Sequence, residues 1–585
     1  MSDKILKECP NLVAWTLSGD YDLDKPVLLD ADKPDRYITR RKTHEIVAAL
    51  TGAFTPDSTV CLHLPNDILY PALTLGILAN GCRWTGTNTA YTAAELEHHF
   101  RISDTKYVIT IGKHYEVVHR AVNASGTNAE VIRFVDLLDG PLLPARLEKG
   151  LSQSNVTNGV QRSKSEKQKR DSIICEDCAQ PVPDIPEIPG GDLGTLDSKF
   201  GSLRTLRDLL CDPADVDLLS VIKNISPASD AVLMQTSGTT GLPKMAARTH
   251  RSLINEQLAI EDNNADKPYE VRRLYCTPVF HAFTLPEMGF NAMRLGQTSY
   301  FMKRYDDTFA QKIHDFQITE TMGAPPMLRL LVKNPERYHL LQSLRIIFFG
   351  GAALGPELRT MTLAMFDRPL RLVPVYGMTE GGWFTTIKDP EIDDTGSVGR
   401  PIAEYEIRMS ATTDSATELS DGQKVGEILV RGPQMMERYY NNSVATQDAF
   451  TPDGWLKTGD IGYLKDGKVY LVDRAKDLIK VNGWQVAPAE LEDVLMRSAH
   501  VQDVAVFGVG ADGDDQASDE HPMACVVARG KGVTVEMIKK HLAGCLTGYK
   551  VKHCEVRFVK SIPKSPAGKI LKRVMKEKLA VGILV

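Results

Sequence analysis

Two hydrophobic rhythms alternate along the early chain. Residues 60–64 switch faces as a short strand, and residues 68–79 are an apolar run of helical length. Residues 92–100 read as a helix, because Thr92 followed three residues later by Glu95 is the arrangement in which each side chain satisfies the other's backbone N–H. Residues 107–110 are rich in β-branched side chains and read as a strand. Strands alternating with helices predict a largely parallel sheet. Further on, 231–234 is strand-like, 250–260 is helical, and 370–375 is a strand running into a glycine turn. Residues 486–492 begin a helix with Pro488 near its first turn, and the remainder suits a small α+β domain.

The alternation stops between 145 and 200. Ser, Asn, Lys and Gln dominate as far as Arg170, and clustered prolines follow at 181–191. Such a stretch has too little apolar surface to offset the entropy of ordering, so a mobile insertion is expected there.

Composition narrows the class. A chain of 585 residues exceeds one ordinary core and implies several subdomains. Its 69 basic and 75 acidic side chains give a net charge of −6, which argues against a nucleic-acid partner. The ten cysteines are scattered and read as reduced intracellular thiols. Only Cys175 and Cys178 have metal-like spacing, and a closed zinc site needs a second pair. The run 69–82 is interrupted by Pro71 and Asn80 and falls short of the ~20 residues that span a bilayer, so it is expected to be a buried helix. The N-terminus has no apolar signal-peptide core and the final Ile-Leu-Val is not a peroxisomal tripeptide, so a cytoplasmic location is expected.

The candidate chemistry centres on 231–244, AVLMQTSGTTGLPK. Gly238 and Gly241 let backbone N–H groups approach a ligand, and Thr236, Ser237, Thr239 and Thr240 add hydroxyl donors. Lys244 adds a positive charge, so the loop is equipped to wrap phosphate oxygens. It is not an NTPase P-loop, which needs four residues between its glycines and Ser or Thr after the lysine, where Met245 stands. A second group, Tyr376, Gly377, Thr379 and Glu380, offers an aromatic face for a base, a hydroxyl for phosphate and a carboxylate for Mg²⁺. Asp460, in a glycine-flanked turn, can accept two ribose hydroxyls.

These segments, in this order, resemble the adenylate-forming superfamily of acyl-CoA synthetases, coumarate-type CoA ligases, luciferases and peptide-synthetase adenylation domains. The early pieces LPNDILYPALTLGILANG and NTAYTAAELEHHF resemble the coumarate-ligase-like branch. The resemblance implies a large N-terminal domain of stacked α/β subdomains (1–473), a hinge at 474–477 holding Lys476, and a small mobile C-terminal α+β domain (478–585). It implies that Gly351, Ala352 and Ala353 cradle adenine, in a segment lacking the family's proline, and that Arg474 and Gln485 also serve the nucleotide. It places His281 beside the acyl carboxylate and Phe283, Ala324, Val375, Trp383 and Phe384 around the acyl group. Val375, Trp383 and Phe384 are bulkier than the residues of aryl-acid relatives, so the pocket is expected to differ from theirs. Lys480, Gly483 and Trp484 would serve CoA, and Lys569, beside Gly568, would enter the site for adenylation.

The implied reaction joins a carboxylic acid to a thiol at the expense of ATP, with Mg²⁺ and CoA. Two alternatives stay open: an acyl-AMP ligase that loads a phosphopantetheine carrier protein, and an adenylate-binding scaffold without turnover. Retention of Lys569, Glu380 and Asp460 speaks against the scaffold. Neither nucleic acid nor a membrane span is expected.

Overall fold

The computed structural model describes residues 8–140, 142, 200–236, 243–263, 267–351, 354–410, 425–474, 479–481, 484–486, 488–510, 520–546, 551–564 and 570–580. The expected insertion lies outside them except for its last residue, Phe200, whose ring packs 5.2 Å from that of Tyr115. Cys175 and Cys178 also lie outside.

Among the described residues two sheets organise the large domain. A seven-stranded sheet runs in the order Arg438–Tyr439, Met245–Thr249, Asp230–Gln235, Arg83–Gly86, Thr59–His63, Thr105–Thr110, Glu130–Arg133. Its last five strands are parallel, as the βαβ rhythm predicts. The Ala93–Ser103 helix between two of them opens with the expected Thr92–Glu95 capping box.

The nine-stranded sheet runs Arg400–Pro401, Gly382–Thr386, Arg371–Met378, Ile346–Gly350, Glu320–Gly323, Arg272–Tyr275, Thr298–Phe301, Pro26–Asp30, Tyr37–Thr39. The six strands from Arg371–Met378 to Pro26–Asp30 are parallel. The Leu69–Ala79 helix buries every residue, which explains its unbroken apolar run. At roughly 1.5–3 kcal/mol for each large apolar side chain removed from water, it is a major contributor to the core. No helix among the described residues is long and apolar enough to cross a membrane.

A smaller antiparallel sheet, Glu406–Met409, Gly426–Arg431, Leu456–Lys465 and Lys468–Arg474, follows. Asp460 lies within its third strand, so the expected turn is corrected to a strand residue after the left-handed Gly459 (φ 71°). Beyond it, Ile479–Val481 and Trp484–Val486 pair as a hairpin that sets Lys480 opposite Gln485. The last sheet, Val501–Gly510, Glu520–Ala528 and Glu555–Phe558, packs with the helices Pro488–Met496 and Val535–Cys545 around one apolar cluster. A large α/β domain followed by a small α+β domain is the architecture expected.

Candidate active site

The Thr/Ser/Gly loop connects the antiparallel strands Asp230–Gln235 and Met245–Thr249. Its base is closed by Thr236 N–H, which donates to the Lys244 carbonyl at 2.8 Å, and by Lys244 N–H, which donates to Thr236 Oγ1 at 3.4 Å. Residues 237–242, including Ser237, Gly238, Thr239, Thr240 and Gly241, lie outside the described residues. Two consecutive histidines of the Ala93–Ser103 helix hold the base. His98 Nε2 lies 2.9 Å from the Pro243 carbonyl oxygen, and His99 Nδ1 lies 2.6 Å from Gln235 Oε1. Burial pushes the His99 imidazole down to about 4, so it is neutral at physiological pH.

From that base the Lys244 ammonium reaches over the Tyr439 ring, 5.0 Å from its centroid. The Tyr439 hydroxyl donates to Glu380 Oε1 at 2.6 Å. Burial and the neighbouring Glu380 carboxylate hold the phenol far above its usual range, so it remains a donor. Met436 N–H donates to the Glu380 carbonyl at 2.6 Å. Cation, phenol and buried carboxylate thus come together from three segments well separated along the chain.

The Tyr376–Glu380 segment runs from the end of a strand into the Thr379–Gly381 turn of a β-hairpin. Arg371–Met378 enters, a bulge falls between Tyr376 and Gly377, and Gly382–Thr386 returns. Gly382 has φ 71°, and a Cβ there would collide with the Glu256 carboxylate, so only glycine fits. Glu256 accepts the Trp383 N–H at 3.0 Å and pairs with Arg248 at 3.0 Å, both ionic side chains being 1% exposed. Tyr405 donates its hydroxyl to the Gly381 carbonyl at 2.5 Å. The turn that presents Thr379 and Glu380 is therefore fixed from below.

Tyr376 donates its hydroxyl to Asp460 Oδ2 at 2.9 Å, linking the nine-stranded and four-stranded sheets. Asp460 is aimed by its own strand: its N–H donates to Thr458 Oγ1 at 3.0 Å, and Gly459 N–H donates to Glu427 Oε1 at 3.0 Å. Arg474 is the cross-strand partner of Asp460, so the backbone brings these two positions together.

The parallel strands end at Gly323 and Gly350, next to Ala324 and to Gly351 with φ 80°. Such carboxyl ends are where open α/β sheets take ligands. Val375 pairs with Gly350, and a Cβ on Gly350 would lie 3.0 Å from the Val375 carbonyl and 3.1 Å from Phe283 Cε2. Phe283 stacks on Trp383 with centroids 6.1 Å apart and 25° between planes. His281 is exposed beside it and accepts the Phe283 N–H on Nδ1 at 3.3 Å. The surrounding protein lowers the imidazole below its ordinary value, and a neutral ring that accepts on Nδ1 carries its proton on Nε2. The Phe384 ring packs against Tyr376 at 5.5 Å and Tyr405 at 5.3 Å, backing the tyrosine.

Comparison with known proteins places the chain in a family. The profile of the family described as AMP-binding enzyme matches residues 22–440, and that of the AMP-binding enzyme C-terminal domain matches 490–569. The chain belongs to the AMP-binding enzyme family. An acyl-CoA ligase of Phoma sp., M9, is 45% identical over 99% of this chain and 98% of its own length. A phenylacetyl-CoA ligase of Aspergillus niger, epaB, is 32% identical over 97% of this chain and 96% of its own. The crystal structure of ATP-bound MatB from Rhodopseudomonas palustris shares the fold, with a TM-score of 0.72 and 21% identity over 98% of this chain and 99% of that one.

In this AMP-binding enzyme the residues fit a magnesium nucleotide. No cluster of three or more His, Cys, Asp or Glu is present among the described residues, so these build no cage of their own. One carboxylate, Glu380, with phosphate oxygens completing the shell, is the usual arrangement for Mg²⁺. Tyr439, His98 and His99 were absent from the sequence-derived site. Tyr439 lies in a two-residue strand, and the histidine pair reads as part of a helix. Ala352, Ala353, Lys476, Gly483 and Lys569 lie outside the described residues, and Lys480, Trp484 and Gln485 are located by the hairpin backbone.

Proposed function

We propose a division of labour among these residues in an ATP-dependent, AMP-forming acyl-CoA ligase. In the first half-reaction a carboxylate oxygen attacks the α-phosphorus of ATP and pyrophosphate leaves. Both reactants are anions, so fixed positive potential and alignment supply most of the catalysis. Lys244 and the loop that Thr236 and Lys244 close would hold the phosphates. Tyr376 would stack on adenine, and Asp460 with Arg474 would hold the ribose. Glu380, oriented by Tyr439, would hold Mg²⁺, which neutralises phosphate charge when bound. Thr379 would bind the phosphate left on AMP.

In the second half-reaction the CoA thiol attacks the acyl-adenylate carbonyl and AMP departs. Water must be excluded while the thiol enters. A C-terminal domain turning about Lys476 would present Lys569 for adenylation and then the Lys480–Trp484 hairpin to CoA. His281 would border the thiol path.

The observation that carries this reading is the convergence of Lys244, Tyr439 and Glu380 at the mouth of the phosphate loop. Its test is pyrophosphate release from ATP over a panel of carboxylic acids, with free CoA, with a phosphopantetheinylated carrier protein, and with neither. Acid-dependent release followed by acyl-CoA formation is expected. Acyl transfer to the carrier alone would assign the other acceptor, and release with no acid of the panel would overturn the ligase.

A further inference from the structure

A second cleft, of about 520 Å³, lies at the opposite edge of the nine-stranded sheet, where the parallel strands begin. Arg272 opens one strand, and Thr319 and Arg345 each stand one residue before the next two. The backbone aligns them: Thr319 N–H donates to the Arg272 carbonyl at 2.9 Å, and Arg345 N–H donates to the Thr319 carbonyl at 2.7 Å. Arg368 joins them from the loop that precedes Arg371–Met378. The volume is that of a small-molecule site, roughly 300–1,000 Å³. Lys244, Glu380 and Asp460 do not border it.

The charge of this cleft is not balanced from within. Arg272 donates from Nε and Nη2 to Glu270 at 3.2 and 3.0 Å, and Glu270 is the only carboxylate lining the cleft among the described residues. Arg345 is exposed, and among the described residues its guanidinium has no hydrogen bond or ion pair. Arg368 is held in place without a carboxylate: Nη2 donates to the carbonyls of Gln342 and Leu344, the latter at 3.3 Å. Gln342 is itself fixed, donating to the Tyr338 and Met365 carbonyls at 2.8 and 3.0 Å. Burial and the neighbouring Arg345 charge both lower the Arg368 guanidinium below its usual range. Two like charges facing one cleft repel each other and attract an anion between them. Tyr269 adds an aromatic wall, anchored through its hydroxyl to Glu320 at 2.8 Å.

We propose that this cleft is a second ligand site, which takes a phosphate monoester with its phosphate between Arg345 and Arg368 and its organic part against Tyr269. The charges match: two guanidiniums lack a carboxylate, and a phosphate monoester carries about −1.5 to −2 near neutral pH. Arginine is the suited cation, because its planar fork presents paired N–H donors to phosphate oxygens. The site goes beyond the ligase reading and does not depend on it, since it shares no residue with the phosphate loop or the Glu380 turn.

The test is isothermal titration of the full chain with ribose 5-phosphate, phenyl phosphate and, as a tetrahedral anion without an organic part, sulfate. The titrations are repeated on Arg345→Gln, Arg368→Gln and Lys244→Ala. At least one ester is expected to bind the wild type at low-millimolar concentration, more tightly than sulfate. Arg345→Gln and Arg368→Gln should each weaken it about tenfold or more, the loss expected for a hydrogen bond to a charged group. Lys244→Ala should leave it unchanged. Arg345 has no side-chain bond to lose, so an unchanged melting temperature is expected for its variant, which keeps the test decisive even if Arg368→Gln does not fold. No binding of either ester by the wild type overturns the site, as does equal affinity in folded Arg345→Gln. Binding lost in Lys244→Ala and kept in Arg345→Gln overturns it by assigning the ester to the phosphate loop. Sulfate bound as tightly as the esters overturns the monoester assignment. Pyrophosphate release from ATP and acid is read separately, so failure of the ligase reading leaves these outcomes in force.

Discussion

The Tyr439 hydroxyl donates to Glu380 at 2.6 Å while the Lys244 ammonium rests over the same ring. One aromatic side chain therefore orients the carboxylate and holds the cation. Tyr439→Phe removes the first contact and keeps the second. A hydrogen bond to a charged group is worth about 1.5–3 kcal/mol, so KM for MgATP should rise roughly tenfold or more. Tyr439→Leu removes both contacts and should do worse. Pyrophosphate release against MgATP concentration measures both variants, and equal kinetics for Tyr439→Phe and wild type would remove the tyrosine from the site.

The buried Arg248–Glu256 pair supports the Thr379–Glu380 turn through Gly382 and the Trp383 N–H. Glu256→Gln leaves the guanidinium without its counter-charge. A loss of about 3–5 kcal/mol in denaturant unfolding is expected, because one member of a buried pair is worth more than the pair's net contribution. The fold should loosen near the site first, visible as increased amide exchange in residues 376–386.

Stability should fall on mild acidification. Burial lowers His99 and His250 from 6.5 to about 4 and His63 to about 3. Each ring binds its proton more readily when the chain unfolds, so unfolding takes up protons below pH 6.5. Their contribution is complete above that pH and is lost progressively as pH falls toward 4, and for His63 toward 3. Melting temperatures from about pH 7.5 to about pH 4.5 measure the slope. His250→Asn should flatten part of it, since His250 Nδ1 accepts the Leu12 N–H in the neutral form.

The two half-reactions should separate genetically. Lys569→Ala should slow pyrophosphate release strongly and leave thioester formation from supplied acyl-adenylate nearly intact. Lys476→Pro should spare adenylate formation and slow the thioester step. Equal losses in both steps for either variant would count against a turning domain.

Local features were legible in the sequence where the cause is local. The Thr92–Glu95 capping box and the fully buried 69–79 helix follow from spacing and apolar content alone. The order of motifs also carried the plan of a large domain followed by a small one. What escaped was set by distant partners. Asp460 reads as a turn residue because of its glycines, yet it lies in a strand, where Glu427 of the paired strand accepts the Gly459 N–H just before it. Trp383 and Phe384 are adjacent and both bulky, but the hairpin sends one to Phe283 and the other to Tyr376 and Tyr405. Tyr439 becomes part of the site only because its two-residue strand pairs with Met245–Thr249.

The strand Pro26–Asp30 joins the nine-stranded sheet through Thr298–Phe301. During synthesis the earlier strand leaves the ribosome without its parallel neighbour and waits for about 270 further residues, the interval from Asp30 to Thr298. At about 5–20 residues per second that interval is on the order of tens of seconds. The seven-stranded sheet has four of its strands complete by Arg133, so it can consolidate first and give the nascent chain a surface on which the later sheet assembles.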